Sequence, residues 1–432
     1  MKGIAFAILA LAAAAATQQA PAPAPPADTP QGEGRYVGVA SCVNSGCHGS
    51  TEPLSATLVL QNEYFTWLSD DRHAQAYNVL FDARSARIVR NMRLKKRAYE
   101  EPLCLDCHST RVAAEQVAGQ IDLEDGVQCE ACHGPASGWR AEHAEQGWTH
   151  EQSIARGMID LRHLPTRAHL CHRCHVGNAR QEVDHELIAS GHPILVFELD
   201  NYAASMPPHW KPDSTDGVRA WAVGQAMKFR DSLANLARHA QGGEWPEFSD
   251  MSCYNCHHSL KQSEARQERG WPDRAGLPSW SPQHWSVLRL IIGRVSSQSR
   301  DELDPIVMQI ARGVARMHDP AGVATNAGRA RDIVHELVPR INAARWSEAD
   351  IRSMMIAITE DAGLLRNADV HAAEQAALAL QSLASAQTRR DSRLLRGPMI
   401  RSIDSLFEEL RDREAFDPAR FAQRLRRVRE AL

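Results

Sequence analysis

Apolar residues recur at helical spacing along several stretches of the chain, most clearly in its last third. Asp304 followed by Pro305 reads as an N-cap with a proline at the first helical position, and Ile306, Ile310, Val314 and Met317 then line one face. Ser347 with Asp350 reads as a capping box ahead of Ile351, Met354, Met355 and Ile358. Ile403, Leu406, Phe407 and Leu410 form another amphipathic stripe, and Asp417–Pro418 opens a final helix with Phe421, Leu425, Val428 and Leu432 on one side. Earlier, Val218, Trp221, Phe229 and Leu236 share a helical period, and His185 to Tyr202 reads as partly helical up to a break at Gly191–Pro193. The remainder of 35–262 is rich in turns. Gly270, Pro272, Gly276, Pro278 and Pro282 cluster around 262–282, where the chain also loses its cysteines and lysines. The expected architecture is mainly α: a turn-rich domain at 35–262 followed by a C-terminal helical bundle at 283–432. The arginine run Arg424, Arg426, Arg427 and Arg429 reads as a solvated face, with a docking surface as the alternative.

The first residues look like an export signal. Lys2 precedes a short apolar run from Ile4 to Ala16, and small residues follow, with Ala16 or Ala20 as cleavage points. The run is shorter than a spanning helix needs; an uncleaved anchor is the competing reading. The expectation is a signal peptide at 1–20, a Pro/Ala-rich tether at 21–34, and a mature chain without a stable membrane span, located in the periplasm. The chain of 432 residues is 43% hydrophobic with a net charge of -4, so a packed core is expected and nucleic acid is not an expected partner.

The ten cysteines change the picture. Four Cys-x-x-Cys-His motifs occur: Cys104, Cys107 and His108; Cys129, Cys132 and His133; Cys171, Cys174 and His175; and Cys253, Cys256 and His257. A fifth pair, Cys42 and Cys47 followed by His48, has four intervening residues instead of two. The pattern is that of covalent c-type haem attachment. Two thiols add across the vinyl groups on one porphyrin edge, and the histidine after the second cysteine lies under the iron. A short peptide can thereby hold a large apolar cofactor, and little regular structure is needed because porphyrins fill the core. Zinc sites would not require a histidine after every pair, and five tight local disulfides would be poor staples. The reading is five covalently attached haem c groups, with the cysteines as thioether links and His48, His108, His133, His175 and His257 as proximal iron ligands.

A low-spin electron-transfer haem needs a sixth ligand, usually histidine or methionine. Of the 20 histidines, 15 are not proximal. His73, His143, His185, His192 and His209 are the distal candidates, and His169, His172 and His258, which flank motifs, are reserves. His185 and His192 are seven apart, a spacing that on a continuous helix puts both on one face and lets them reach two neighbouring haems. Met206 and Met251 are the methionine alternatives. Bis-histidine ligation implies low potentials.

On the stretches Tyr36 to Cys42, Trp67 to Ala76, Gly126 to Pro135, His185 to Tyr202 and Cys253 to Leu260, the chain resembles the cytochrome c554 group of multihaem cytochromes, relatives of the hydroxylamine oxidoreductase-like and pentahaem nitrite reductase families. The resemblance covers roughly 35–262 and implies successive haems stacked closely into an electron wire. The chain departs from the nitrite reductases in having no Cys-x-x-Cys-Lys motif, and from tetrahaem c554 in its fifth haem site and wide first motif. The expected function is electron transfer between membrane or periplasmic redox partner proteins, in anaerobic or nitrogen-linked respiration. The alternative is an oxidoreductase acting on a small nitrogen or sulfur oxyanion at one open-coordination haem. No catalytic residue is assigned.

Overall fold

The computed structural model describes residues 34–54, 59–208, 216–242, 245–253, 256–257, 278, 280–361, 370–390, 397–413 and 415–432. The expected signal peptide, nearly all of the tether, His209 and His258 lie outside the described residues.

The protein is mainly α. Apart from isolated bridges between Tyr36 and Val117 and between Met251 and Trp280, no strand occurs among the described residues. The cysteine-bearing half starts with short helices: α1 (Glu63–Asp70), α2 (Ala83–Asn91), α3 (Pro102–His108), α4 (Cys129–His133), α5 (His150–Ala155), α6 (Leu164–His175), α7 (His185–Ala189) and α8 (Leu199–Ser205). Long helices follow: α9 (Asp216–Gln241), α10 (Ser286–Val295), α11 (Ser297–Arg316), α12 (Pro320–Ala343), α13 (Glu348–Glu360), α14 (Val370–Arg390), α15 (Pro398–Leu410) and α16 (Pro418–Ala431). No helix among the described residues is long and apolar enough to cross a membrane.

The two halves differ in what they bury. From Leu164 onward a single large apolar core takes in α6, α9 and every later helix, with Trp221, Phe229, Leu288, Ile291 and Phe421 fully enclosed. Before Leu164 there are two small clusters, one of Tyr77, Leu80, Ala98 and Leu105, the other of Val39, Trp67 and Ala74. The large core spans the composition break at 262–282, because α9 lies against α12 and α14. Polar contacts seal the same seam. Glu198, buried at the N-terminus of α8, accepts from Ser382 Oγ of α14 (2.9 Å), and Asn201 Nδ2 donates to Leu378 O (2.9 Å).

Most cap signals hold. Ser347 and Asp350 form the capping box of α13, and Asp417 caps α16 through the Ala419 and Arg420 amides. Two expectations need correction. Asp304–Pro305 does not start a helix: α11 begins eight residues earlier, capped by Ser296 Oγ on the Ser299 amide, and Pro305 lies inside it. The Asp304 carboxylate is engaged by Arg289 in two bonds of 2.7 Å, so it does not act as a cap. His185 and His192 do not share a helical face, because α7 ends at Ala189 and Gly191 turns the chain with φ +118°.

The C-terminal end of α9 is fastened to the segment leading into the fifth cysteine motif by an ion cluster around the buried His239. His239 Nδ1 donates to Asp250 Oδ2 (2.7 Å) while Nε2 meets Glu182, which Arg238 also grips (2.8 Å). Burial opposes the charge on His239, but the two carboxylates outweigh it and push the imidazole up to about 10. Burial likewise opposes ionisation of Glu182, and His239 with Arg238 draws it down to about 2.

Two outcomes follow. Phe229→Ala should cost about 3–5 kcal/mol. In urea titration the loss should move the far-ultraviolet and haem-absorbance transitions together, because α6, which carries the fourth motif, is part of this core. His239→Gln should cost about 3 kcal/mol. A raised histidine contributes fully below its unfolded value of 6.5, and the contribution fades as pH rises through about 10. The midpoint difference between wild type and variant should therefore be greatest at mildly acidic pH and shrink toward pH 10.

Candidate haem centres

The second, third and fourth attachment motifs are helical turns, and the turn does the positioning. α3 and α4 each end on the motif histidine, as does α6, so cysteines three apart fall on one side of a helix with the histidine adjoining. In the fifth motif the His257 amide donates to the Cys253 carbonyl (2.8 Å). The wide first motif reaches the same closure: the His48 amide donates to the Cys42 carbonyl (3.2 Å), and the additional residues loop out, with Cys47 N on Asn44 O (2.8 Å). None of the ten cysteines is in a disulfide.

Three of the expected distal histidines face attachment histidines. His143 stands 6.0 Å from His48 between ring centroids, with the planes 5° apart. His73 stands 6.1 Å from His175 at 89°, and His192 stands 6.4 Å from His108 at 82°. Two imidazoles bound on opposite sides of one metal, each through a bond of about 2 Å with about 1 Å more to the ring centre, have centroids roughly 6 Å apart. Rotation about the bond axis changes the interplanar angle and leaves that separation intact, so all three pairs fit an iron between them.

In five of these six rings the second nitrogen is engaged in the way that axial ligation needs. Nδ1 of His48 lies 2.9 Å from Glu63 Oε2, and Nδ1 of His73 lies 2.9 Å from Asp71 Oδ1. Nδ1 of His108, His143 and His192 faces the carbonyls of Ala76 (2.8 Å), Arg140 (2.5 Å) and Pro193 (2.8 Å). An acceptor at Nδ1 fixes the hydrogen there and presents the Nε2 lone pair to a metal. The carboxylates of Glu63 and Asp71 raise the basicity of His48 and His73, whereas burial holds His108 and His192 below the usual range and takes His175 down to about 4.

The other expected ligands are placed differently. The His185 ring packs edge-on against Phe248 (5.5 Å) instead of facing an attachment histidine. His133 closes α4, its carbonyl accepting from the Ile159 amide (2.9 Å), and His257 is exposed. Of the reserves, His169 Nδ1 accepts from Arg230 (2.9 Å), and His172 is buried with Nδ1 on Asp231 (2.8 Å).

The motifs also meet one another, and they do so out of chain order. The Cys42 thiol contacts that of Cys129, and Cys107 contacts Cys174, so the first site adjoins the third and the second adjoins the fourth. Cys132 is within electrostatic reach of Cys171 and Cys174, which links the two pairs. The first site thus neighbours the third, and the fourth neighbours the second and the third. Asp106, inside the second motif, fixes this arrangement by taking Arg180 in two bonds (3.0 and 2.8 Å) just past the fourth.

Glu130, between the cysteines of the third motif, was not singled out in the sequence. Its buried carboxylate accepts from the amides of Val37 (3.0 Å), Gly38 (2.8 Å) and Ala136 (2.7 Å), clamping the chain ahead of the first motif onto the third. Apolar side chains including Phe65, Leu68, Phe81 and Phe248 stay substantially exposed. Among the described residues, all the large apolar side chains so exposed lie between Leu54 and Phe248. Unsheathed apolar surface beside paired imidazoles and adjacent thiols is the environment that a porphyrin would cover. The residues present fit haem c.

The family model of cytochrome c554 and c-prime matches residues 42–134, which hold the first three attachment motifs. The match covers less than half of the chain and is a likeness of that segment to c-type cytochromes, a family that carries covalently bound haem c in electron transfer. No curated protein and no solved structure matches the chain.

Glu130→Ala should leave three buried amides without an acceptor. Hydrogen exchange should rise at Val37, Gly38 and Ala136 in the variant and stay unchanged in α12.

Proposed function

We propose that the chain is an exported pentahaem cytochrome that relays electrons in the periplasm between a membrane or periplasmic donor and a redox acceptor, in anaerobic or nitrogen-linked respiration. On this reading 1–20 is a signal peptide, 21–34 a tether, 35–262 the haem-bearing domain and 283–432 a helical domain. The single observation that carries the reading is the set of three imidazole pairs at 6.0–6.4 Å, each joining an attachment histidine to a histidine distant in sequence. Haem c supplies a one-electron iron centre, and the polypeptide contributes spacing, axial ligands and electrostatics.

The chain's own residues then have distinct tasks. The ten cysteines tether the five groups. His48, His108, His133, His175 and His257 are the proximal ligands, and His143, His192 and His73 complete the first, second and fourth sites. Glu63 and Asp71 orient their imidazoles and, as anions, favour the oxidised state of the neighbouring iron. The contacts Cys42–Cys129 and Cys107–Cys174 keep neighbouring groups at short range, which electron relay requires. His185 is better read as a packing residue on Phe248 than as a ligand.

Electron paramagnetic resonance on the purified oxidised protein tests this reading. His73→Ala, His143→Ala and His192→Ala should each convert one haem from low to high spin, and His185→Ala should convert none. Reversible redox titration should show every haem at low potential. Unchanged spin state in all three variants would refute the ligand assignment.

A further inference from the structure

The fifth attachment site lies against a helix of the C-terminal half. His371, on the first turn of α14, is 2% exposed, and its Nε2 stands 3.6 Å from Cys253 Sγ. Its Nδ1 faces Glu374 Oε2 (3.1 Å), and Arg413 holds the other oxygen of that carboxylate (2.7 Å). As in five of the six rings of the imidazole pairs, an acceptor fixes Nδ1; Nε2 here meets a cysteine of the fifth motif, which brings the ring beside that attachment site. Here the acceptor is itself pinned by an arginine. A buried histidine and glutamate on an otherwise alanine-rich helix face are costly to bury unless they serve one another or a ligand.

Other histidines in this region are directed elsewhere. His239 has a carboxylate at each ring nitrogen. His284 turns Nε2 toward Ser232 Oγ of α9 (3.5 Å). His172 shares the carboxylate-clamped Nδ1, and its Nε2 is buried without a hydrogen-bond partner, but it belongs to the fourth motif and packs on Phe197 at 5.5 Å. Among the described residues, His371 is the histidine whose ring nitrogen contacts the fifth motif.

We propose that His371 is the distal axial ligand of the haem held by Cys253, Cys256 and His257, so that the C-terminal helices complete a redox centre as well as sharing the core. Glu374 and Arg413 are positioning residues for that imidazole. This assignment rests on the pentahaem reading. It gives α14 a role that the match over residues 42–134 does not reach.

The test uses the full exported chain, with haem counted by pyridine haemochrome and spin state read by electron paramagnetic resonance. Wild type and His371→Ala should both carry five haems. The variant should show one newly high-spin haem in five, which added imidazole returns to low spin. His371→Met guards against a misfolded alanine variant: it should stay low-spin while the potential of one haem rises. Glu374→Gln should keep the haem low-spin and raise the same potential by a smaller amount. Five haems with unaltered spin state in His371→Ala, unaltered potentials in His371→Met, or a high-spin haem arising in His172→Ala instead would overturn the assignment and leave the pentahaem reading standing. Four haems in wild type with Cys253 and Cys256 unmodified would overturn both.

Discussion

The arrangement depends on imidazoles held about a metal's width apart by contacts to their far nitrogens. In the chain up to Leu164 the protein's own apolar clusters are only a few residues each, and large apolar side chains remain uncovered. A segment of that length with so little to bury cannot offset its conformational entropy by packing alone. Bound porphyrins remove both difficulties. On the pentahaem reading they would cover the apolar surface, and an iron would join two histidines from distant parts of the chain, as with His73 and His175 or His48 and His143. Fold and cofactor are then one problem, because the axial ligands act as cross-links in a region that has few others.

The second half follows a different logic. From α6 and α9 onward, ordinary helix packing builds one large core, and the haem-bearing half is anchored to it at defined points. Glu198 and Asn201 reach α14, the His239 cluster holds the approach to the fifth motif, and α6 presents the fourth motif from inside that core. A rigid helical body thus positions the fourth and fifth sites, while backbone clamps such as Glu130 position the first and third. Rigid spacing matters for a relay, since transfer between groups falls steeply with separation.

Local patterns in the sequence made much of this legible. The motifs read directly, as did the Ser347–Asp350 box and the Asp417 cap, because each depends on residues within one turn. His73, His143 and His192 could be nominated from histidine abundance, but their pairing could not be read: His73 meets a motif 102 positions away, a consequence of tertiary packing alone. Asp304–Pro305 misled because the helix extends back to a Ser296 cap and accommodates the proline inside it. The spacing of His185 and His192 misled because Gly191 breaks the helix that would have made it meaningful. Glu130 and His371 carried no local signal. One is an ordinary residue between two cysteines, and the other is 118 positions along the chain from the motif cysteine it meets.

The central claim is that all five cysteine pairs are thioether-linked to haem, the wide pair Cys42–Cys47 included. Intact-mass measurement of the exported, purified protein, followed by peptide mapping of each pair, tests it most directly. The account predicts a mass increase of five haem groups, with one haem-bearing peptide for every motif. An increase of fewer than four, with free thiols, zinc or disulfides at the remaining pairs, would contradict it.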